Sequence, residues 1–190
     1  MQDDKVFSTF EVKEFSIRDP KNEKAADRLG CVGSCDETLN TKTITKKCEG
    51  AITKQRTKGD GTASVTISLH IRAEHFYDLH GMNSDTLIEG AHGFGENSVL
   101  PERTIAYKGI DEDGRIKYKA YPRFTITEAT NRKVENGGEE VQEIEIKGTA
   151  LSDDNGFCMY EALESDLKDS DAKTKWLTNF TSALVKVKEL

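Results

Sequence analysis

Residues 62–82, TASVTISLHIRAEHFYDLHGM, change their hydrophobic period partway along, and that change decides the fold class. From Ala63 to Ile71, the apolar Ala63, Val65, Ile67, Leu69 and Ile71 alternate with Ser64, Thr66, Ser68 and His70. A period of two puts the apolar set on one face of a β-strand and the hydroxyl-rich set on the other. From Arg72 onward, Ala73, Phe76, Tyr77 and His80 recur at three- and four-residue spacing, and Gly81 then supplies a helix stop. A strand runs directly into a short helix of about two to three turns.

The same stretch holds three of the chain's four histidines, His70, His75 and His80. His70 falls on the polar side of the strand. His75 and His80 are five apart on the helix, a rotation of about 140°, whereas helical zinc pairs sit four apart. Structural roles are expected for all three, and no metal ligand is assigned.

Outward from this junction, short alternating runs are separated by Gly, Asp and Asn clusters, the pattern of antiparallel sheet. FEVKEFSIRD puts Phe10 and Val12 on one phase and Phe15 and Ile17 on the other, which predicts a bulge or crossing near Glu14. KNEKAADRLGCVGS is turn-rich, with one helical turn expected at Glu23 to Leu29. ETLNTKTITKKCEG followed by AITKQRTKGDGTA, mostly Lys, Thr and Gly, reads as a long exposed hairpin or a mobile loop.

Beyond the helix, TIAYKGI and IKYKAYPRFTI form a hairpin around DEDG, residues 111 to 114. Ile116, Tyr118, Ala120, Pro122, Phe124 and Ile126 are expected on one face, and Pro122 marks an edge or a bulge. NRKVENGGEE is a polar loop. VQEIEIKGTALS is a strand with Ile144, Ile146 and Ala150 inward, and NGFCMYEAL is a further short strand. The C-terminal stretch reads as an arm with one helical turn around Lys173 to Leu177. Within it Trp176 is a core anchor or a docking residue for a neighbouring subunit. These elements predict a mainly β fold. It is an antiparallel β-sandwich or barrel of about seven to eight strands flanked by one short α-helix, with long loops and terminal arms. A single domain spans 1–190, with an N-terminal segment at 1–30 and a C-terminal arm at 166–190.

The chain has 190 residues and a net charge of −7. That acidity leaves no electrostatic footprint for gripping nucleic acid or anionic lipid. Its apolar fraction is low for its size, which suits loops that order against a partner. No membrane-spanning run and no signal-peptide pattern are found, so cytosolic synthesis and free thiols are expected for Cys31, Cys35, Cys48 and Cys158. The spacing of Cys31, Cys35 and Cys48 lacks the paired short knuckles of a structural zinc site. GAHGFG, residues 90 to 95, precedes a loop into a strand, not the helix a phosphate cradle needs. DEDG is too short for a calcium loop. No GxSxG nucleophile elbow occurs. No catalytic, cofactor-binding or metal residue is assigned, and no enzyme is expected.

The order of pieces resembles the major tail proteins, or tail tube subunits, of long non-contractile-tailed bacteriophages. The resemblance rests on GTASVTISLHI feeding RAEHFYDLHGM, on the hairpin TIAYKGIDEDGRIKYKAYPRF, and on EIEIKGTAL before NGFCMYEA, over residues 35 to 165. It implies a β-sandwich with one flanking helix, assembled as stacked hexameric rings around a lumen that conducts the genome. The implied partners are other copies of the chain, the tape-measure protein, and the tail terminator and distal tail proteins, with DNA only in transit and no membrane. The implied location is the virion tail, assembled in the host bacterial cytoplasm. Thr53, Lys54, Gln55, Arg56, Lys58, Trp176 and Phe180 are the expected inter-subunit contacts. Two alternatives stand beside it: a soluble β-sandwich ligand-binding module, and the inner-tube protein of a contractile tail or type VI secretion system.

Overall fold

The computed structural model describes residues 7–22, 24–82, 85–134, 136–137 and 140–187. Among these residues eight strands form one antiparallel sheet: β1 (Glu11–Arg18), β2 (Asp27–Arg28), β3 (Gly30–Cys48), β4 (Ala51–Ile71), β5 (Arg103–Ile110), β6 (Ile116–Ile126), β7 (Ile144–Leu151) and β8 (Tyr160–Leu163). Their order is β2-β1-β5-β6-β7-β4-β3, with β8 paired to the first half of β6. The sheet curls on itself, so that β3 packs on β1 and sends Glu37 across the interior to the Tyr121 hydroxyl on β6. The expected mainly β, antiparallel architecture is the one the chain adopts.

The strand-to-helix junction lies where the change of period places it. β4 ends at Ile71, a single residue intervenes, and α1 (Ala73–Leu79) begins. Ala63, Val65, Ile67 and Leu69 are buried in the main core with Phe15, Ile105, Phe124 and Ile146, and α1 turns Leu79 onto that core. Gly81 ends the helix at φ +56°, and a Cβ there would lie 2.1 Å from the Val99 carbonyl oxygen, so both conformation and space demand glycine.

Two bulges redirect side chains. In β1 the pairing with β5 slips between Lys13 and Ser16, and Glu14 takes φ +55°. The extra residue turns Phe15, Ser16 and Ile17 inward in succession and leaves Phe10 exposed, as the two phases of the sequence require. In β6 the pairing with β5 slips between Tyr121 and Phe124, across Pro122. This corrects the single apolar face expected for β6. Tyr121, Phe124 and Ile126 join the main core, whereas Tyr118 and Ala120 point to the opposite side. Pro122 has no N–H to donate, and it sits between the residues that pair with β8 and those that pair with β7.

On that opposite side lies a second core of Ala106, Tyr118, Ala120, Trp176 and Phe180. It corrects the expected free C-terminal arm. A second short helix, α2 (Ser170–Lys175), is capped by the Asp169 carboxylate, which accepts from the Asp171 and Ala172 amides. The segment is further tied down where the Ala26 amide donates to the Thr178 carbonyl at 2.7 Å and Arg18 Nη1 donates to the Phe180 carbonyl at 3.1 Å. The last three residues of the expected C-terminal arm and the first six of the N-terminal segment lie outside the described residues.

The helical turn expected at Glu23 to Leu29 is absent from the described part of that stretch, because Asp27 and Arg28 instead pair with β1 as an extended bridge. NGFCMYEAL contributes only Tyr160–Leu163 as strand. The Asp153 carboxylate accepts from the Asn155 and Phe157 amides and closes a turn ahead of it. The polar loop NRKVENGGEE is described only in part.

Candidate functional site: the extended hairpin

β3 and β4 continue past the body of the protein. β4 stops pairing with β7 at Thr62, opposite Leu151. From Thr41 opposite Gly59 to Cys48 opposite Ala51, the two strands pair only with each other. Every residue from 41 to 60 is exposed on both faces of this ribbon. Ten residues at about 3.3 Å each carry it roughly 30 Å beyond the sheet. The tip is a tight two-residue turn with Glu49 at φ 51° and Gly50 at φ 83°, the double positive φ that matches strand twist. Of the two readings open in the sequence, hairpin or mobile loop, the chain forms the hairpin.

The root of the ribbon is stapled by short polar contacts. Asp60 Oδ1 accepts from both the Thr62 amide and the Thr62 hydroxyl at 2.9 Å. Asn40 Nδ2 donates to Thr62 Oγ1 at 3.0 Å, and Ser152 Oγ donates to the Gly61 carbonyl at 2.6 Å. Gly61 lies at φ +89°, and a Cβ there would press on Ser152 Oγ at 2.6 Å. Three residues before Asn40 on β3, Glu37 accepts from Lys119 Nζ at 3.2 Å and from the Tyr121 hydroxyl, joining β3 to β6 through the interior. Burial pushes the neighbouring Cys35 thiol up to about 11 and also raises the Tyr107 and Tyr121 phenols. These groups stay protonated at neutral pH, which suits hydrogen-bonded cross-ties and not nucleophiles.

The pairing register sorts the ribbon's side chains into two unlike faces. Lys42 sits opposite Lys58, Ile44 opposite Arg56 and Lys46 opposite Lys54. Residues two apart on a strand share a face, so five cations surround Ile44 on one side. The other side carries Thr41, Thr43, Thr45, Gln55 and Thr57, and the Thr43 and Thr57 hydroxyls meet at 3.0 Å. Among the described residues none of the five cations has an ion-pair partner. Like charges directly opposite each other weaken a ribbon, so this arrangement costs local stability.

The expected contact residues divide accordingly. Lys54, Arg56 and Lys58 lie on the basic face and Gln55 on the hydroxyl face, while Thr53 donates its hydroxyl to the Lys46 carbonyl at 3.1 Å beside a register shift. Trp176 and Phe180 are buried in the chain's own second core, their rings tilted at 55° with centroids 5.0 Å apart, and so present no surface to a neighbour. Lys42, Ile44 and Lys46 were not singled out from the sequence. Their signal is the matched alternation of KTITK and KQRTK, legible only when the two strands are placed in register.

The histidines do not converge. His70 is exposed on its strand, while His80 is buried, with Nδ1 2.8 Å from the Phe76 carbonyl and Nε2 2.8 Å from Thr130 Oγ1. Because a carbonyl only accepts, Nδ1 carries the proton. His75 joins Asp27 and Glu74 in a group whose ligand atoms lie within 4.8 Å of one another. There Arg72 Nη1 already donates to both Asp27 oxygens at 3.2 Å and to Glu74 Oε1 at 3.4 Å, so a guanidinium holds the place of a cation. Cys35 and Cys48 are thirteen residues apart along β3, roughly 40 Å at strand rise, which separates the cysteines considered for zinc. No described helix is long and apolar enough to cross a membrane. No protein-family model matches the chain, and no curated protein matches it.

Proposed function

We propose that this protein is a tail-tube subunit, a structural virion protein that self-assembles into stacked hexameric rings and acts without an enzymatic step. The observation that carries the reading is the uncovered ribbon of residues 41–60. A two-stranded hairpin with both faces in water is marginal by itself, and its two unpaired edges are a template for another chain. Such an arm on a body of this size supports a subunit whose stability is completed by neighbours. The net charge of −7 favours a conduit through which DNA slides without being held. Within this reading the tape-measure, terminator and distal tail proteins are the further partners, and the virion tail is the location.

Of the alternatives, a soluble ligand-binding module needs an exposed aromatic platform. Tyr107, Tyr118, Tyr121 and Trp176 are all interior, Tyr77 and Tyr160 are half-buried, and the exposed aromatics Phe10, Phe94 and Phe157 lie on three separate segments of the chain. The inner tube of a contractile tail or type VI system shares the ring architecture, and a sheath partner is what separates it.

The test is deletion of Thr53 to Gly61, read by negative-stain microscopy of concentrated protein beside the intact chain. The intact chain is expected to form six-fold rings or tubes, and the deleted chain a folded monomer without tubes. Normal tubes from the deletion reject the ribbon's role. An intact chain that stays monomeric under all conditions rejects the tube-subunit reading.

A further inference from the structure

The ribbon's charge is the inverse of the rest of the molecule. Residues 40–61 hold six of the chain's 27 Lys and Arg and two of its 34 Asp and Glu, a local charge of +4. The remainder holds 21 against 32, a charge of −11. The opposite extreme lies at 73–100, α1 and the connection after it. This stretch contains Glu74, Asp78, Asp85, Glu89 and Glu96 and no Lys or Arg, and Arg72 and Arg103 at its borders pair with Glu74 and Asp78. Glu89 and Glu96 are exposed and have no ion-pair partner among the described residues. On the same connection Ile88, Phe94 and Val99 are 83%, 64% and 78% exposed, apolar side chains that the chain itself leaves open.

The two regions leave β4 at its opposite ends. β4 leaves the ribbon at Thr62 and delivers the chain to α1 at Ile71, so the ribbon extends from one end of that strand and the acidic lobe follows the other. β5 starts at Arg103, whose guanidinium holds Asp78 of α1, and runs antiparallel to β4 in direction towards the turn at Asp111. The chain leaving the lobe returns beside the ribbon's root, where Glu102 holds Arg123, Arg123 donates to the Ser152 carbonyl and Ser152 Oγ donates to the Gly61 carbonyl. Within one chain nothing covers the ribbon, since every residue from 41 to 60 is exposed.

We propose that the basic face of the ribbon, Lys42, Lys46, Lys54, Arg56 and Lys58 around Ile44, docks on the acidic connection at residues 85–100, with Glu89 and Glu96, of a second copy of this chain. The contact is head to tail. It uses two different surfaces, so it repeats along one direction and does not close into a twofold dimer. It rests on the tube-subunit reading and adds to it which surfaces meet. Ile44 meets the exposed apolar side chains of the lobe, and the cross-strand lysine pairs that cost the free ribbon stability are neutralised by the carboxylates. A nucleic acid is the weaker occupant, because the hydroxyl face and the acidic body would both lie along the same polyanion.

The experiment uses the full chain with two charge reversals. One is Lys54→Glu with Arg56→Glu and Lys58→Glu on the ribbon; the other is Glu89→Lys with Glu96→Lys on the lobe. All five positions are exposed, and circular dichroism and melting temperature check that each variant folds as the parent does. Self-association is measured by sedimentation velocity at low and high salt, with negative-stain microscopy beside it. Each reversal alone is expected to weaken association by about tenfold or more, and salt to weaken the parent in the same way. Mixing the two variants restores association, since each ribbon then meets a lobe of opposite sign.

Parent rings or tubes that tolerate both reversals overturn this contact and leave the tube-subunit reading standing. Parent head-to-tail oligomers that obey the reversals but never form six-fold rings support the contact and sink that reading. A parent that stays monomeric sinks both. Binding of a labelled 20-bp duplex that is lost only in the ribbon variant, with self-association unchanged, overturns the proposal in favour of nucleic acid.

Discussion

Replacing Trp176 with alanine separates a residue that holds its own chain together from one that waits for a neighbour. Trp176 is 1% exposed, with its ring centroid 5.8 Å from Tyr118 and 5.0 Å from Phe180. A buried tryptophan removes about 150–250 Å² from water, worth about 4–6 kcal/mol at 25 cal/mol per Å². Its Nε1 is buried with no hydrogen-bond partner, so the substitution breaks no hydrogen bond and relieves an unpaired donor worth about 1–3 kcal/mol. The net expected loss is about 3 kcal/mol, a fall in melting temperature of roughly 6–12 °C for a chain of this length. The assay is thermal unfolding of dilute, monomeric protein followed by circular dichroism, with limited proteolysis to detect local release of residues 164–187. A melting temperature within about 2 °C of the parent, together with unchanged proteolysis, would refute the packed C-terminal segment and return Trp176 to an exposed role.

Two further outcomes test the interior. At Gly148 on β7 an added Cβ would lie 2.4 Å from both Phe124 Cζ and the Thr125 carbonyl oxygen, and the carbonyl belongs to a paired strand that cannot give way. Gly148→Ala is therefore expected to cost about 1–3 kcal/mol, read as a lower urea midpoint with an unchanged slope, and a midpoint equal to the parent's contradicts the packing. For the thiols, iodoacetamide at pH 8 followed by peptide mass mapping should modify exposed Cys31 and Cys48 readily. Burial raises the Cys35 thiol from an ordinary value near 9 to about 11, which lowers its thiolate fraction, and hence its rate, by about a hundredfold. Equal labelling of Cys35 and Cys48 places Cys35 outside the interior.

Much of the fold is carried by local pattern. The change of period at Arg72, the two phases around Glu14 and the DEDG turn each depend on residues within a few positions of one another. A single strand or turn expresses them without help from the rest of the chain. β6 is the instructive failure. Its residues alternate cleanly from Ile116 to Ile126, yet the slip at Pro122 sends Tyr118 and Phe124 to different cores. Pro122 announces a bulge, but the second core that receives Tyr118 exists only because residues 170–180 fold back onto β5 and β6.

The candidate site divides in the same way. Composition alone marks residues 40–61 as exposed and rich in Lys and Thr, and the turn at Glu49–Gly50 is a local matter. The sequence by itself thus determined that this stretch is exposed and positively charged, and left open whether it forms a hairpin or a mobile loop. Which lysines face the same way depends on register, a relation between two strands that neither strand encodes alone. Whether Trp176 and Phe180 face a neighbour or the chain's own sheet depends on where a segment some seventy residues downstream of β5 returns in space. Tertiary structure alone decided both, because facing and burial are properties of pairs of elements brought together by the curled sheet.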